Sequence, residues 1–112
     1  MFRKIALLFL ALTLATLAVA QKTKTPAERS VSGVVTDAGN SPVSGAVVQL
    51  KNLKTLQVRS FIAREKGDYY FRGLSTDVDY ELKAESNGHS SATRTLSSFD
   101  SHTEATVNLQ LK

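Results

Sequence analysis

The residues that could bind a metal ion or transfer a proton are few and widely spaced. His89 and His102 are the only histidines, and neither has a His-x-x-Glu spacing. A zinc peptidase needs two histidines and a carboxylate as metal ligands, with a further glutamate as base. A complete predicted strand separates the two histidines, so we expect each of them in a solvated turn. The sequence therefore predicts no metal centre and no cofactor.

Serine and aspartate are more abundant, but their spacing is not typical of a catalytic or calcium site. The serines between Ser90 and Ser101 lack the Gly-x-Ser-x-Gly elbow of serine hydrolases. Asp77, Asp79 and Asp100 could supply oxygens to Ca²⁺, which takes about six to eight of them. A solvated loop is the simpler interpretation of these aspartates. The sequence thus predicts a protein that is not an enzyme.

An exposed aromatic ring beside hydrogen-bonding side chains is typical of sugar-binding surfaces. Tyr70 lies in a predicted strand whose alternate residues face the core, so it should face solvent with Arg72 on the same side. Phe99, in a polar loop, is a second candidate. These three residues are the candidate ligand-binding site. The simpler interpretation, which we favour, is that Tyr70 is an ordinary strand residue and that Phe99 closes one end of the fold.

The N-terminal residues have the pattern of a secretory signal peptide. Arg3 and Lys4 precede an apolar stretch, Ile5–Val19. This stretch is short for a membrane span, which needs about 20 residues, and small residues at its end have the spacing of a cleavage site. We predict a signal peptide over residues 1–20, with a cleavage site formed by Ala18, Ala20 and Gln21.

Cleavage would leave one domain outside the cytoplasm. Residues 21–29 are polar and predict a flexible spacer, and residues 30–112 are long enough for one domain. Loss of Arg3 and Lys4 leaves 12 basic against 10 acidic residues, so the net charge falls from +4 to +2. Nucleic-acid binding would need basic residues clustered on one face, and the sequence has no such cluster. Without cysteine, the fold must be stabilised by packing and hydrogen bonds. We expect a secreted or periplasmic, bacterial protein with no integral membrane segment in the mature chain.

Short β-prone runs alternate with turn-forming residues from residue 31 onwards, which predicts an all-β fold. Two sheets are needed because one sheet cannot cover its own apolar face. We therefore predict a seven-stranded antiparallel Greek-key β-sandwich, similar to transthyretin. The predicted strands are Val31–Thr36, Ala46–Lys51, Gln57–Arg64, Tyr69–Phe71, Tyr80–Glu85, Ser91–Leu96 and Val107–Leu111.

The apolar residues of these strands form the predicted core. Tyr80 follows Leu74 at a spacing typical of a tyrosine corner, in which the hydroxyl bonds upstream backbone. The polar segment Ser91–Ser97 is the predicted edge strand, open to an added strand. The predicted core residues are Val35, Val48, Leu50, Ile62, Tyr69, Phe71, Leu74, Tyr80, Leu82, Leu96, Val107 and Leu109.

The order of landmarks along the chain resembles that of a known family. These landmarks are Gly33–Asp37, Pro42–Leu50, Gly67–Phe71, Leu74, Tyr80–Leu82 and Asn87–His89. They resemble the carboxypeptidase regulatory-like domain, a transthyretin-like sandwich grouped with carbohydrate-binding-like folds. Gly33, Gly45, Gly67 and Tyr80 are its structural landmarks here. One departure is Ala63-Arg64, where the family usually has Thr-Asp before the hairpin, so a cap from that aspartate is not expected.

The resemblance implies a non-catalytic accessory, because such domains accompany catalytic domains or cell-surface proteins. We expect an exported binding or structural module whose partner is an extracytoplasmic protein or glycan that binds the loops or an edge strand. The alternative is a carbohydrate-binding module that uses Tyr70, Arg72 and Phe99. A small transthyretin-like hydrolase is a third reading, which the C-terminal residues Asn108–Lys112 do not support. Intradiol dioxygenases have a similar sandwich, but their two tyrosines and two histidines on iron have no local counterpart.

Overall fold

The computed structural model describes residues 28–112, and the predicted signal peptide, its cleavage site and residues 21–27 of the predicted spacer lie outside them. The described residues form strands, turns and loops without a helix. There are nine strands: β1 Glu28–Thr36, β2 Val47–Asn52, β3 Val58–Ile62, β4 Asp68–Ser75, β5 Tyr80–Ser86, β6 His89–Ser90, β7 Arg94–Leu96, β8 Glu104–Thr106 and β9 Leu109–Gln110.

The strands form two sheets. In the first sheet β4 pairs with β1, and β1 pairs on its other side with β8 and β9. In the second sheet the order is β3-β2-β5, and β5 also pairs with β6 and β7. The apolar faces of the two sheets enclose one core, which confirms the predicted all-β sandwich.

The last two predicted strands differ in detail from the structure. Of the segment Ser91–Leu96, only Arg94–Leu96 forms a strand, β7, and Ser91 makes an isolated bridge with Leu111. Of Val107–Leu111, only Leu109–Gln110 forms a strand, β9, which like β8 runs parallel to β1 rather than antiparallel. Between β8 and β9 the side chain of Asn108 interrupts the ladder, because its Oδ1 accepts the N–H of Val34 at 3.0 Å. Local alternation in the sequence could not show this substitution of a side-chain oxygen for a backbone one.

Strand β1 includes the last two residues of the predicted spacer. Glu28 and Arg29, which we assigned to the spacer, lie in β1 opposite Ser75 and Leu74 of β4. Arg29 is buried, although a charged residue in a polar segment gives no such signal. The structure therefore places Glu28 and Arg29 in a strand of the first sheet.

The core contains all of the predicted residues except Ile62, which is 59% exposed. Strand β3 turns Phe61 and Ala63 inward, so Ile62 points to the outer face of the second sheet. The prediction failed because β3 has apolar residues on both faces and its alternation is ambiguous. The other predicted core residues are confirmed.

The predicted landmarks take structural roles. The hydroxyl of Tyr80 accepts the N–H of Ser75 at 2.8 Å, which confirms the bond to upstream backbone. Gly33 lies close to the segment between β8 and β9, and a Cβ at this position would overlap the Val107 carbonyl. Gly45 and Gly67 have φ of 82° and 76°, in turns where a side chain would strain the backbone.

The hairpin that departs from the family pattern is closed by another pair of groups. Arg64 donates its backbone N–H to the Asp68 carbonyl at 3.0 Å and accepts the N–H of Gly67 at 2.8 Å. The Arg64 guanidinium also contacts the Asp68 carboxylate at 2.7 Å. The ion pair is exposed, so it contributes little to the free energy of folding, but it spans the hairpin turn that these backbone bonds close.

Candidate functional site

The loops at one end of the sandwich are held together by Arg29. Its guanidinium is buried and donates to the Ser97 carbonyl at 2.7 Å and to the Val78 carbonyl at 3.2 Å. A longer bond of 3.4 Å reaches the Asp100 carbonyl. Arg29 therefore links the loop after β4 to the loop after β7, and the described residues leave only its Nε without a partner.

The aspartates that could have bound calcium are also used in these loops. Asp79 Oδ1 accepts the N–H of Ser98 at 2.6 Å, and this bond is the main reason that its pKa is lowered. Asp100 accepts the N–H of His102 at 2.9 Å, which lowers its pKa in the same way. In residues 28–112 no group of three or more His, Asp or Glu side chains is placed to hold a metal ion.

The two histidines lie at separate positions and are exposed. His89 Nδ1 is 2.8 Å from the Lys112 carbonyl, and His102 Nδ1 is 2.6 Å from Asp100 Oδ1. The tyrosine hydroxyls are also engaged separately, since Tyr69 donates to the buried Val107 carbonyl and Tyr80 accepts from Ser75. Burial raises the pKa of Tyr69. These bonds hold the fold and do not converge on one reacting centre.

The structure brings together two of the three candidate sugar-binding residues. Tyr70 is 38% exposed, as predicted, and the Arg72 guanidinium lies 5.7 Å from the centroid of its ring. Phe99 does not line the hollow beside Tyr70 and is 95% exposed, so it does not close the end of the sandwich as we expected. It lies in a turn closed by a bond from Asp100 N–H to the Ser97 carbonyl. The hollow beside Tyr70 is lined by Glu28, Arg29, Ser30, Tyr70, Arg72, Gly73, Thr103 and Glu104.

A surface that sequence reasoning missed lies along β3. Leu56, Val58 and Ile62 are 62%, 53% and 59% exposed. Val58 and Ile62 share the outer face of the strand with Ser60, and Leu56 comes just before it. We call these residues, Leu56 and Val58–Ile62, the β3 edge. Within residues 28–112, β3 pairs only with β2, so its other side has no neighbouring strand.

The direction of the backbone groups follows from the ends of the β2–β3 ladder. Asn52 N–H donates to Gln57 at 2.8 Å, and Ala63 N–H donates to Ala46 at 2.8 Å. Because bonding alternates along an antiparallel pair, the odd-numbered residues of β3 bond β2. The N–H and C=O groups of Val58, Ser60 and Ile62 therefore point away from the sheet. The same residues carry the exposed side chains.

The opposite edge of the second sheet, formed by β6 and β7, is tied to the C-terminal residues. We call it the β7 edge. Lys112 N–H donates to the Ser90 carbonyl at 3.1 Å, and Ser91 forms a bridge with Leu111. Arg94 donates to the Asn108 carbonyl at 3.1 Å. The predicted edge position of Ser91–Ser97 is confirmed for β7. Hydrogen bonds nevertheless connect this edge to the residues at the C-terminal end of the chain.

The signal for the β3 edge was present in the sequence. The run from Gln57 to Arg64 places Val58 and Ile62 on one face and Phe61 and Ala63 on the other. A strand that is apolar on both faces is expected at the centre of a layered sheet, or at an edge that another chain covers. We interpreted it only as a source of core residues.

These observations define a small all-β sandwich domain in which the apolar β3 edge pairs, among residues 28–112, with β2 alone. The family model of the carboxypeptidase regulatory-like domain matches residues 30–112. The chain belongs to this family, which confirms the resemblance drawn from the sequence. Among curated protein sequences, none matches the chain at a significant level.

Solved structures of similar fold come from proteins of different activities. The dioxygenase domain of a dioxygenase–carbohydrate-binding protein fusion from Streptomyces sp. SirexAA-E has a TM-score of 0.55 at 15% identity, covering 81% of this chain and 83% of that one. Catechol 1,2-dioxygenase from Acinetobacter sp. ADP1 has a TM-score of 0.58 at 12% identity, covering 81% of this chain and 54% of the enzyme.

A third similar structure is the C-terminal domain of the shaft pilin SpaA from Lactobacillus rhamnosus GG. Its TM-score is 0.53 at 12% identity, and the match covers 80% of this chain and all of that domain. At these identities the likeness establishes the fold alone. In the part of the chain that the structure describes, no helix is long and apolar enough to cross a membrane.

Proposed function

We propose that the protein is an exported, non-catalytic module that acts outside the cytoplasm as a binding or structural accessory, with the β3 edge as its protein-binding surface. One observation carries the proposal. Val58, Ser60 and Ile62 combine backbone groups that bond no strand of residues 28–112 with an outer face that exposes two large apolar side chains. Strand addition uses backbone bonds for affinity and alternate side chains for specificity.

The proposed absence of catalysis rests on what the reactive groups contact. Arg29, Asp79 and Asp100 hold the loops at one end, and the two histidines bond separate partners. A general base must reach the proton that it removes, and a nucleophile needs a base beside it. The dioxygenases of similar fold share the sandwich with this chain at 15% identity or less among those compared above.

Export is supported by the signal-peptide pattern of residues 1–20 and by the family. The test is cell fractionation of the full chain produced in a bacterium, followed by N-terminal sequencing of the product. We expect a protein that begins at Gln21 in the periplasm or medium. Replacing Ala18 and Ala20 with larger residues should leave the precursor uncleaved. An unprocessed wild-type chain in the cytoplasm would contradict export.

The binding surface is tested by placing a photoreactive amino acid at position 62, with position 95 as the matched control. Both positions are exposed and lie on the second sheet, at opposite edges. Irradiation of intact cells should give a protein adduct from position 62 and none from position 95. Equal adducts from both positions, or none from position 62, would contradict the assignment of the β3 edge.

A glycan is the second candidate partner, because Tyr70 offers an exposed ring beside a hollow. The Arg72 guanidinium lies over that ring and Phe99 does not line the hollow, so the surface for stacking is small. Affinity electrophoresis on polysaccharide gels tests this candidate. Retardation that Tyr70→Ala abolishes would support sugar binding, whereas unretarded migration on every polysaccharide would exclude it for the glycans used.

A further inference from the structure

We infer that the protein partner of the β3 edge is a second copy of this chain, joined by antiparallel pairing of the two β3 strands. This inference rests on the proposed function, because it names the partner of the same surface. A two-fold axis would pass beside Ser60, which would face the partner's Ser60. The two second sheets would then form one continuous sheet.

The backbone geometry fits this pairing. With Ser60 opposite the partner's Ser60, Val58 lies opposite the partner's Ile62, and the reverse pair follows by symmetry. These are the residues whose N–H and C=O groups point away from β2. In an antiparallel ladder, two residues that face each other as a hydrogen-bonded pair exchange two N–H···O bonds. A residue that faces its own copy across the two-fold axis does the same. Every free backbone group between Val58 and Ile62 would find a partner.

The side chains fit the same register. On the outer face, Val58 would contact the partner's Ile62, and two such apolar pairs would flank the central serines. On the inner face, Arg59 would lie opposite the partner's Phe61. The Arg59 guanidinium already lies 5.4 Å from the centroid of the Phe71 ring, and a cation over an aromatic face is a favourable contact. No like charges are directly opposed.

Neighbouring registers are less favourable. Moving the axis to Arg59 would place this residue opposite the partner's Arg59, and like charges in directly opposite positions are destabilising. Moving the axis to Phe61 would place Val58 opposite the partner's Arg64 and Ile62 opposite the partner's Ser60. Only the register centred on Ser60 matches both apolar residues of one copy with those of the other.

The strand carries few of the features that prevent edge pairing. Natural edges carry charges, prolines or bulges that discourage an added strand. The outer face of Val58–Ile62 holds no charge, and the strand contains no proline and no break in its register with β2. Its single charge, Arg59, lies on the other face. A two-fold contact of this kind closes on itself, which favours a dimer over a filament.

The first test is sedimentation velocity of the protein purified after expression of the full chain, over a range of concentrations. We expect a concentration-dependent dimer for the wild type. Ile62→Lys should weaken dimerisation by about tenfold or more, because it places an unpaired charge in the contact. The matched control, Thr95→Lys at the β7 edge, should dimerise like the wild type. Thermal melts should show both variants folded, since both positions are exposed.

The second test uses the lack of cysteine in the chain, which makes an introduced thiol unique. Ser60→Cys should give a covalent dimer with a short bismaleimide cross-linker, and Thr95→Cys should not. A wild-type monomer at every concentration, or equal cross-linking of the two variants, would overturn the inference. An adduct from position 62 to a different protein would then still support the proposed binding surface, so the two proposals fail separately.

Discussion

The two edges of the second sheet are built in opposite ways. The β7 edge is short and largely polar, and bonds from Lys112 and Arg94 join it to the end of the first sheet. The β3 edge consists of the five-residue strand β3 and Leu56, exposes Val58 and Ile62, and has no strand on its outer side in residues 28–112. Arg59 at the β3 edge also donates to the Arg72 carbonyl of β4 at 3.1 Å, so a side chain joins each edge to the first sheet. The difference lies in the backbone, because within residues 28–112 only the β7 edge has backbone bonds to the C-terminal residues on its outer side.

The comparison shows why polarity alone does not identify a binding edge. We predicted that a partner binds the loops or an edge strand, and we chose Ser91–Ser97 as that edge because the segment is polar and interrupted by few apolar residues. In the structure, Ser91 is buried and its hydroxyl accepts the N–H of Ala84 at 2.9 Å. Polar residues at the β7 edge complete the domain's own hydrogen bonds. Exposed apolar residues at an unpaired strand are the stronger indication of a partner.

The largest expected difference between the edges comes from truncating one apolar residue at each. Leu111 is buried beside the β7 edge, so Leu111→Ala should lower the free energy of unfolding by about 2–4 kcal/mol. Ile62→Ala at the β3 edge should change it by less than about 0.5 kcal/mol. Urea unfolding at a concentration where the protein is monomeric measures both values. Similar losses for the two variants would show that the β3 edge is part of the folded core.

The next effect tests the closure of the β7 edge by a side chain. Ser91→Ala removes the hydroxyl that accepts the N–H of Ala84 and leaves this buried donor unpaired. We expect a loss of about 1–3 kcal/mol in urea unfolding. Ser60→Ala is the matched control at the β3 edge, where the serine is exposed, and it should leave the monomer's stability unchanged. A neutral Ser91→Ala variant would mean that this hydroxyl does not close the edge.

Tyr80 tests the strand that supports the β7 edge, because it pairs with Leu96 of β7. Tyr80→Phe keeps the buried ring and removes the hydroxyl that accepts the N–H of Ser75. The expected loss is about 1 kcal/mol, measured by thermal or urea unfolding. A melting curve identical to that of the wild type would show that the hydroxyl contributes nothing to stability.

Leu56 tests the β3 edge with an effect of the opposite sign. It has a φ of 66°, in the left-handed region that is costly for a leucine, and its side chain is exposed. Leu56→Gly should stabilise the monomer by about 0.5 kcal/mol, because relief of this cost exceeds the added freedom of the unfolded chain. Destabilisation in the same urea assay would show that the leucine side chain is held by the monomer itself.

The smallest expected effect is the pH dependence that Asp79 gives to the loop after β7. The N–H of Ser98 lowers the pKa of Asp79 below its value in the unfolded chain. The stabilisation is therefore present above the unfolded pKa of about 4 and is lost as the pH falls through the lower folded value. Asp79→Asn should flatten this part of the curve of unfolding free energy against pH. An unchanged curve would contradict the role of the carboxylate.

Much of the fold could be predicted from the sequence. Alternating residues such as Tyr80, Leu82 and Leu109 fixed the inner faces because each strand there has one apolar face. Ile62 could not be placed, since β3 is apolar on both sides. The parallel pairing of β8 and β9 with β1 depends on contacts distant in sequence, and local alternation does not report them.

The candidate site was less predictable than the fold. The exposure of Tyr70 follows from strand alternation, but the distance of Phe99 from the hollow depends on how a loop turns. Arg29 gave no sign of burial, because its hydrogen bonds go to carbonyl groups of Val78 and Ser97, about 50 and 70 residues away along the chain. Backbone acceptors leave no pattern in the sequence.

Amide hydrogen exchange of β3, followed residue by residue at low and high protein concentration, tests the central claim most directly. At low concentration, the amides of Val58, Ser60 and Ile62 should exchange fast, while those of Arg59 and Phe61, which bond β2, should be protected. At high concentration, the amides of the first three residues should become protected as well. Protection of Val58, Ser60 and Ile62 in the monomer, or fast exchange at every concentration, would contradict the account.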